Sequence, residues 1–254
     1  MIKGVSIFID SAKIPANSKS SLGSSIKLNF DNYIDVNNKY ISVKTASIYY
    51  VFPNIQASSN NTKIKFIYDS ITRVINLPVG LYSVPDINES ISEQLTNFGL
   101  SENLLYFQPD EATSLMSLLI KAGGIAFSLN CNDADNILMK NFLGFTTNGT
   151  ITTSTDVYVD SSHKIQINTV NDIYVKCNVS QGAIFNSDHD SNYIAKIPIN
   201  VKPSSLIQYE PILMVANRCI ASNINSLSIT LVDENENELN MNGEEWSMEL
   251  ILVD

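Results

Sequence analysis

The chain has 254 residues, with 26 acidic against 16 basic side chains and a formal net charge of −10 at pH 7. Phosphate backbones need a basic face, and no local run of Lys or Arg reverses the acidic balance, so nucleic acid is not an expected partner. With 44% hydrophobic and only 17% charged residues, the chain has apolar material for one large or two modest cores and does not have the composition of a disordered segment.

The start, "MIKGVSIFIDSAKIPANS", carries a brief apolar run that stops at Asp10 and lacks the pattern of a secretory leader. No apolar run approaches the ~20 residues needed to span a bilayer, so no membrane partner is expected. Cys131, Cys177 and Cys219 are dispersed and odd in number, unlike a disulfide framework. They suit a protein made in a reducing compartment. Asn, Ser, Ile and Thr are abundant, a composition of strands joined by polar turns. Glycosylation-like triplets at Asn60, Asn88, Asn148 and Asn178 carry little weight without a leader.

Period-two alternation dominates in chain order. "SIKLNF" puts Ile26, Leu28 and Phe30 on one face, and "KYISVKTASIYYVF" reads as a long strand inside a sheet. "KIKFIYD" and "TRVINLP" form a predicted hairpin across "DSI". The stretch "LPVGLYSVPDINESISEQL" then opens a helix. Ser83 is its predicted N-cap, Pro85 lies in the first turn, and Asp86 is the N3 partner of a capping box. Ile87, Ile91, Leu95 and Phe98 recur at helical spacing, and Gly99 ends the run. "NLLYFQ", "SLMSLLIK" and "GIAFSLN" read as short strands. "DADNILMKNFLG" is a second helix, capped by Asp133 or Asp135 and stopped by Gly144. "KIQINT" and "DIYVKCNV" resume the alternation. In "YIAKIPINV", Tyr193, Ala195, Ile197, Ile199 and Val201 share a face, and Pro198 marks an edge or a bulge. "LSITLV" and "WSMELIL" close the chain as paired strands across an acidic connection.

Strands on both sides of a helical middle predict a mainly β fold: a jelly-roll β-sandwich from 1–79 and 146–254, with a small α+β subdomain inserted at 80–145.

Candidate sites are sparse. The Gly80 joint has the outline of a phosphate loop, but it has one glycine, no lysine, and bulky Leu81 and Tyr82. Pro85 removes a donor, and Asp86 and Glu89 put negative charge where an anion would sit. It reads as a structural corner, with Tyr82 packed and its hydroxyl at the surface. His163 and His189 lie in polar turns, and no nucleophile elbow is present. Cys177 sits on the apolar face of its strand. Asp188, His189 and Asp190 are contiguous and could meet one ion only in a curled loop. The Asp233–Glu244 segment matches a calcium loop at Asp233, Asn235, Asn237 and Glu244, but Glu238 stands where glycine is required and the flanks are strands. Glu244 and Glu245 point to opposite strand faces, and Trp246 aligns with Met248, Leu250 and Leu252 as core. No catalytic, cofactor-binding or metal-binding residue is assigned, no cofactor is expected, and the chain is not expected to be an enzyme.

The same landmarks resemble the penton or minor capsid proteins of virophages and Polinton-like viruses. Gly80, Tyr82, Ile87, Asn88 and Ile91 match the turn and helix of that group. Leu143, Gly144 and Phe145 match its "LGF", and Asn225, Ser226, Ile229, Leu231 and Asp233 match its C-terminal hairpin pattern. The landmarks are scattered over residues 75–254, and the final turn is longer here because the usual glycine is displaced into "NENELNMNG". The resemblance implies a jelly-roll structural subunit of the virion that forms a homopentamer at five-fold vertices and docks on major capsid proteins. The alternative read from the residues is a monomeric jelly-roll binding module, lectin-like or receptor-binding, whose polar loops hold a glycan or calcium.

Overall fold

The computed structural model describes residues 4–181, 183–184 and 190–254. Its internal contacts divide the chain into two units, one formed by residues up to Phe52 and from Val170 onward, the other by Pro53–Thr169. The outer unit starts with β1 (Gly4–Asp10), β2 (Ser25–Asp35) and β3 (Tyr40–Tyr49).

The inserted unit follows. β4 (Lys63–Tyr68) and β5 (Ile71–Asn76) form the hairpin expected from "DSI". Tyr68 faces Ile71, and both turn residues, Asp69 and Ser70, have positive φ (52° and 59°). That is the backbone of a two-residue turn whose twist matches its strands. Helix α1 (Val84–Asn97) is capped as the sequence requires: the Ser83 hydroxyl accepts from the Asp86 N–H, and the Asp86 carboxylate accepts from the Ser83 N–H at 2.7 Å. Ile87, Ile91 and Leu95 are fully buried, contributing about 2 kcal/mol each to burial. β6 (Leu105–Asp110), β7 (Leu115–Ile120), β8 (Phe127–Asn130), β9 (Thr150–Thr153) and β10 (Val157–Asp160) complete the unit. They make two antiparallel sheets, β5-β4-β8-β9 and β10-β7-β6.

Four buried asparagines hold this unit by bonding distant backbone. Asn88 of α1 donates to the Phe107 carbonyl and accepts from the Phe107 N–H, both at 2.8 Å, which ties helix to sheet. Asn136 accepts from the Lys65 N–H at 2.6 Å and donates to the carbonyls of Lys65 and Asn130. Asn54 clasps both polar groups of Tyr82, and Asn61 donates to the Asn54 carbonyl at 2.7 Å. Asn88, one of the triplet asparagines, is therefore buried and spoken for.

The chain returns to the outer unit with β11 (Asp172–Cys177), β12 (Ser180–Gln181), β13 (Ala183–Ile184), β14 (Asp190–Ser191) and β15 (Tyr193–Pro198). β16 (Leu206–Tyr209), β17 (Asn217–Cys219), β18 (Asn223–Val232) and β19 (Trp246–Val253) follow. One sheet runs β1-β19-β3-β17-β12, with β16 also on β3; the other runs β15-β11-β18-β2, and β13 pairs with β14 as a ribbon. Ile9, Ile41, Ile48, Trp246 and Leu250 from the first sheet and Ile26, Ile173, Val175, Leu227 and Ile229 from the second are buried. The fold is mainly β, a jelly-roll β-sandwich carrying an inserted α+β unit.

Several expectations change. The inserted unit spans 53–169 rather than 80–145, because β4 pairs with β8 and β9 and β10 pair with β8 and β7. "KIQINT" is not a strand: Ile165 and Ile167 pack on the inserted unit's core while the Ile165 and Gln166 N–H groups bond to Ser114 and Phe142. The second helix is a 3₁₀ turn, Ala134–Asn136, run into a π turn, Leu138–Phe142. β18 and β19 are not paired to each other; the acidic connection carries the chain from one sheet to the other. Tyr193 leaves the face of Ile197, because the ladder slips between Val175 and Lys176 and sets Tyr193 opposite Lys176. Such a bulge reverses the alternation beyond it.

Candidate functional site

The Gly80 joint is a corner. The Gly80 carbonyl accepts from the N–H groups of Asn54 and Ile55, and the Gly80 N–H donates to Ile55. The Tyr82 N–H goes to Asn54, and the Ser83 N–H to Asp86. The N–H groups of Gly80, Tyr82 and Ser83 are thus occupied by protein partners rather than turned to an anion. Tyr82 packs half-buried on the core, where burial raises its phenol above the ordinary range.

The nucleophile candidates are placed against reactivity. Burial pushes the Cys177 thiol up to about 12 and the Cys131 thiol up to about 11, so both stay protonated at neutral pH. His163 meets the Ser162 hydroxyl at 3.1 Å through Nδ1, and no carboxylate pairs with it among the described residues. Asp188 and His189 lie outside the described residues, as does the side chain of Asp190.

The Asp233–Glu244 segment spends its acidic groups, Glu244 excepted, on protein partners. Asp233 Oδ1 accepts from the N–H groups of Asn235 and Asn237 at 2.8 Å each, and Asn237 Nδ2 reaches Oδ2 at 3.0 Å. Glu234 accepts from the N–H groups of Asn171 and Asp172. Glu236 accepts from the Tyr193 hydroxyl at 2.6 Å and pairs with Lys176, which together hold its carboxyl below the usual range. Glu245 takes the Ser11 hydroxyl and Lys19, and Glu244 is exposed. Among the described residues, no three His, Cys, Asp or Glu side chains are grouped to hold a metal ion. An open depression of about 430 Å³ on the β4-β8-β9 side is lined by Ile67, Ser70, Ser128, Thr152, Thr153 and Ser154 among others, none of them titratable.

The outer unit instead presents an apolar surface. β16 leaves β3 at Ala46 and β17 rejoins it at Ile41, so residues 210–216 span four positions of β3 and their excess length loops outward. Ile212, Leu213 and Val215 are 108%, 79% and 67% exposed. The Ser42 hydroxyl anchors the loop by donating to the Val215 carbonyl at 2.9 Å. Phe8, on edge strand β1, is also freely exposed. Together Ile212, Leu213 and Val215 form a contiguous exposed aliphatic patch. The sequence contains this signal in "ILMVA", a five-residue apolar run without alternation, but its exposure follows from β16 and β17 sharing one edge of β3.

The described residues contain no helix long and apolar enough to cross a membrane. No protein-family model matches the chain, and no curated protein matches it in sequence. Solved structures do. A chain in the cryo-EM structure of the Sputnik virophage matches 98% of this chain and 97% of its own length at 13% identity, with a TM-score of 0.46. The mavirus penton protein matches with a TM-score of 0.52 at 11% identity, over 98% of each chain, so this chain shares its fold from end to end.

Proposed function

We propose that the chain is a structural subunit of a virion, a penton or minor capsid protein that assembles with itself into a homopentamer and docks on major capsid protein. The observation that supports it is the whole-chain likeness to the mavirus penton protein: 98% of both chains align, so sandwich and insertion correspond together. The sequence landmarks at Gly80–Ile91, Leu143–Phe145 and Asn225–Asp233 point to the same group independently. The exposed Ile212–Val215 loop fits a subunit that buries it against a neighbour, since a closed ring needs one patch that docks on another. The elevated Cys177 and Cys131 thiols and the bonded-out Asp233 loop fit a role without catalysis or cofactor. The chain acts in the virion shell. Light scattering on the purified chain, followed by imaging of the particles, tests this reading: five-membered rings support it, and a monomer at every concentration and salt refutes it.

A further inference from the structure

The outer face of the β10-β7-β6 sheet carries an exposed aromatic row. Leu119 of β7 is registered against Tyr158 on one side and Tyr106 on the other, so the three form one row across the sheet. The opposite face, with Leu105, Phe107, Met116, Leu118 and Ile120, is buried in the core of the unit. Tyr158 is 68% exposed and Tyr106 42%, with Leu119 half-buried between them. Strands lie ~4.8 Å apart, so the two rings stand roughly 10 Å apart over an aliphatic floor. The next row along the sheet is polar: Gln108, Ser117 and Asp160. Ser117 donates to Asp160 Oδ1 at 2.6 Å and fixes that carboxylate. Among the described residues neither tyrosine hydroxyl nor the Gln108 amide has a protein partner.

We propose that this row, Tyr106–Leu119–Tyr158 with Gln108 and Asp160 beside it, binds a neutral oligosaccharide. A sugar ring has an apolar C–H face and a rim of hydroxyls, and the surface presents the matching pair, aromatic rings next to a carboxylate and an amide. Other occupants fit less well. Stacked bases would bring phosphates against Asp110 and Asp160 on a chain of net charge −10, and acidic sugars meet the same repulsion. A stable protein interface takes about 800 Å² from each partner, and beyond the single aromatic row this face is mostly polar. The proposal stands apart from the assembly reading, since it needs no neighbouring copy.

Cellohexaose, mannohexaose and chitohexaose titrated into the full chain in a calorimeter test it. Saturable binding of one of them is expected, with affinity weakened about tenfold or more, roughly 1.4 kcal/mol, in Tyr106→Ala and in Tyr158→Ala. Both side chains are exposed, so the melting temperature of each variant should match that of the parent. The proposal is overturned if none of the three saturates by about 10 mM, roughly tenfold above the 1 mM Kd of a weak ligand. Binding unchanged in the double variant overturns it too, as does a double variant that alters only the oligomeric mass, which would assign the row to protein contact.

Discussion

Gly144 and His163 meet backbone to backbone: the His163 N–H donates to the Gly144 carbonyl at 2.9 Å, and the His163 carbonyl lies where a Gly144 side chain would start. A Cβ on Gly144 would overlap that oxygen, and φ there is +85°. The Ser161 hydroxyl completes the joint by donating to the same His163 carbonyl at 2.8 Å. The landmark "LGF" is thus a close approach of two chain segments within the inserted unit. The histidine serves it through its backbone, with its ring left outside.

Gly144→Ala should accordingly destabilise the chain by about 2 kcal/mol or more, because both the left-handed conformation and the contact are denied to alanine. His163→Ala keeps the backbone contact and should stay within about 0.5 kcal/mol of the parent. Urea unfolding of the two variants checks the contrast; equal losses would contradict it.

Asn88 should be among the most sensitive polar positions. Asn88→Ala leaves the Phe107 N–H and carbonyl without the partners they have at 2.8 Å. Two buried backbone groups lose their bonds, for a cost of about 2–3 kcal/mol, read as a fall in the urea midpoint. An exposed asparagine such as Asn132 should show no comparable effect on substitution by alanine.

Calcium should not stabilise the protein. The Asp233 oxygens already accept from Asn235 and Asn237, and Glu236 is engaged by Tyr193 and Lys176. Melting in excess calcium and in chelator should give one temperature; an upward shift in calcium would contradict the placement of these side chains.

Acid should weaken the fold. The Ser11 hydroxyl and Lys19 hold Glu245 low, the Tyr193 hydroxyl and Lys176 hold Glu236 low, and the Asp135 N–H and Lys65 hold Asp133 low. A carboxylate with a depressed folded-state pKa adds stability above its unfolded pKa and loses it as pH falls through the folded value. Melting temperature should be nearly flat from about pH 8 to 5 and fall below about pH 4. A fall that begins above pH 6 would contradict this assignment.

Local chemistry was the legible part of the sequence. Ser83 and Asp86 form their reciprocal cap, Asp69–Ser70 makes its two-residue turn, and Ile87, Ile91 and Leu95 face the core, because each depends on residues within a few positions. The features that stayed hidden depend on non-local pairing. The "KIKFIYD" hairpin alternates like any sandwich strand, and only its pairing with β8 assigns it to the inserted unit. Tyr193 changes face through a bulge that no residue type announces. Asn54, Asn61, Asn88 and Asn136 do not stand out by residue type in an Asn-rich chain, yet they hold distant backbone together in a buried setting. The exposed aliphatic loop and the Tyr106–Leu119–Tyr158 row needed the ladder registers, which place residues far apart in sequence side by side.

The Ile212–Val215 loop gives the assembly reading a local test. Ile212→Asp with Leu213→Asp should lower the assembled mass while leaving the melting temperature of the dissociated chain unchanged, since both side chains are freely exposed. An unaltered assembly would remove this loop from the subunit contact.

The central claim, a self-assembling shell subunit, is tested most directly by the mass of the purified chain from light scattering after gel filtration. The account predicts a particle of five chains that persists on dilution. A single chain, at every protein concentration and salt, would contradict it.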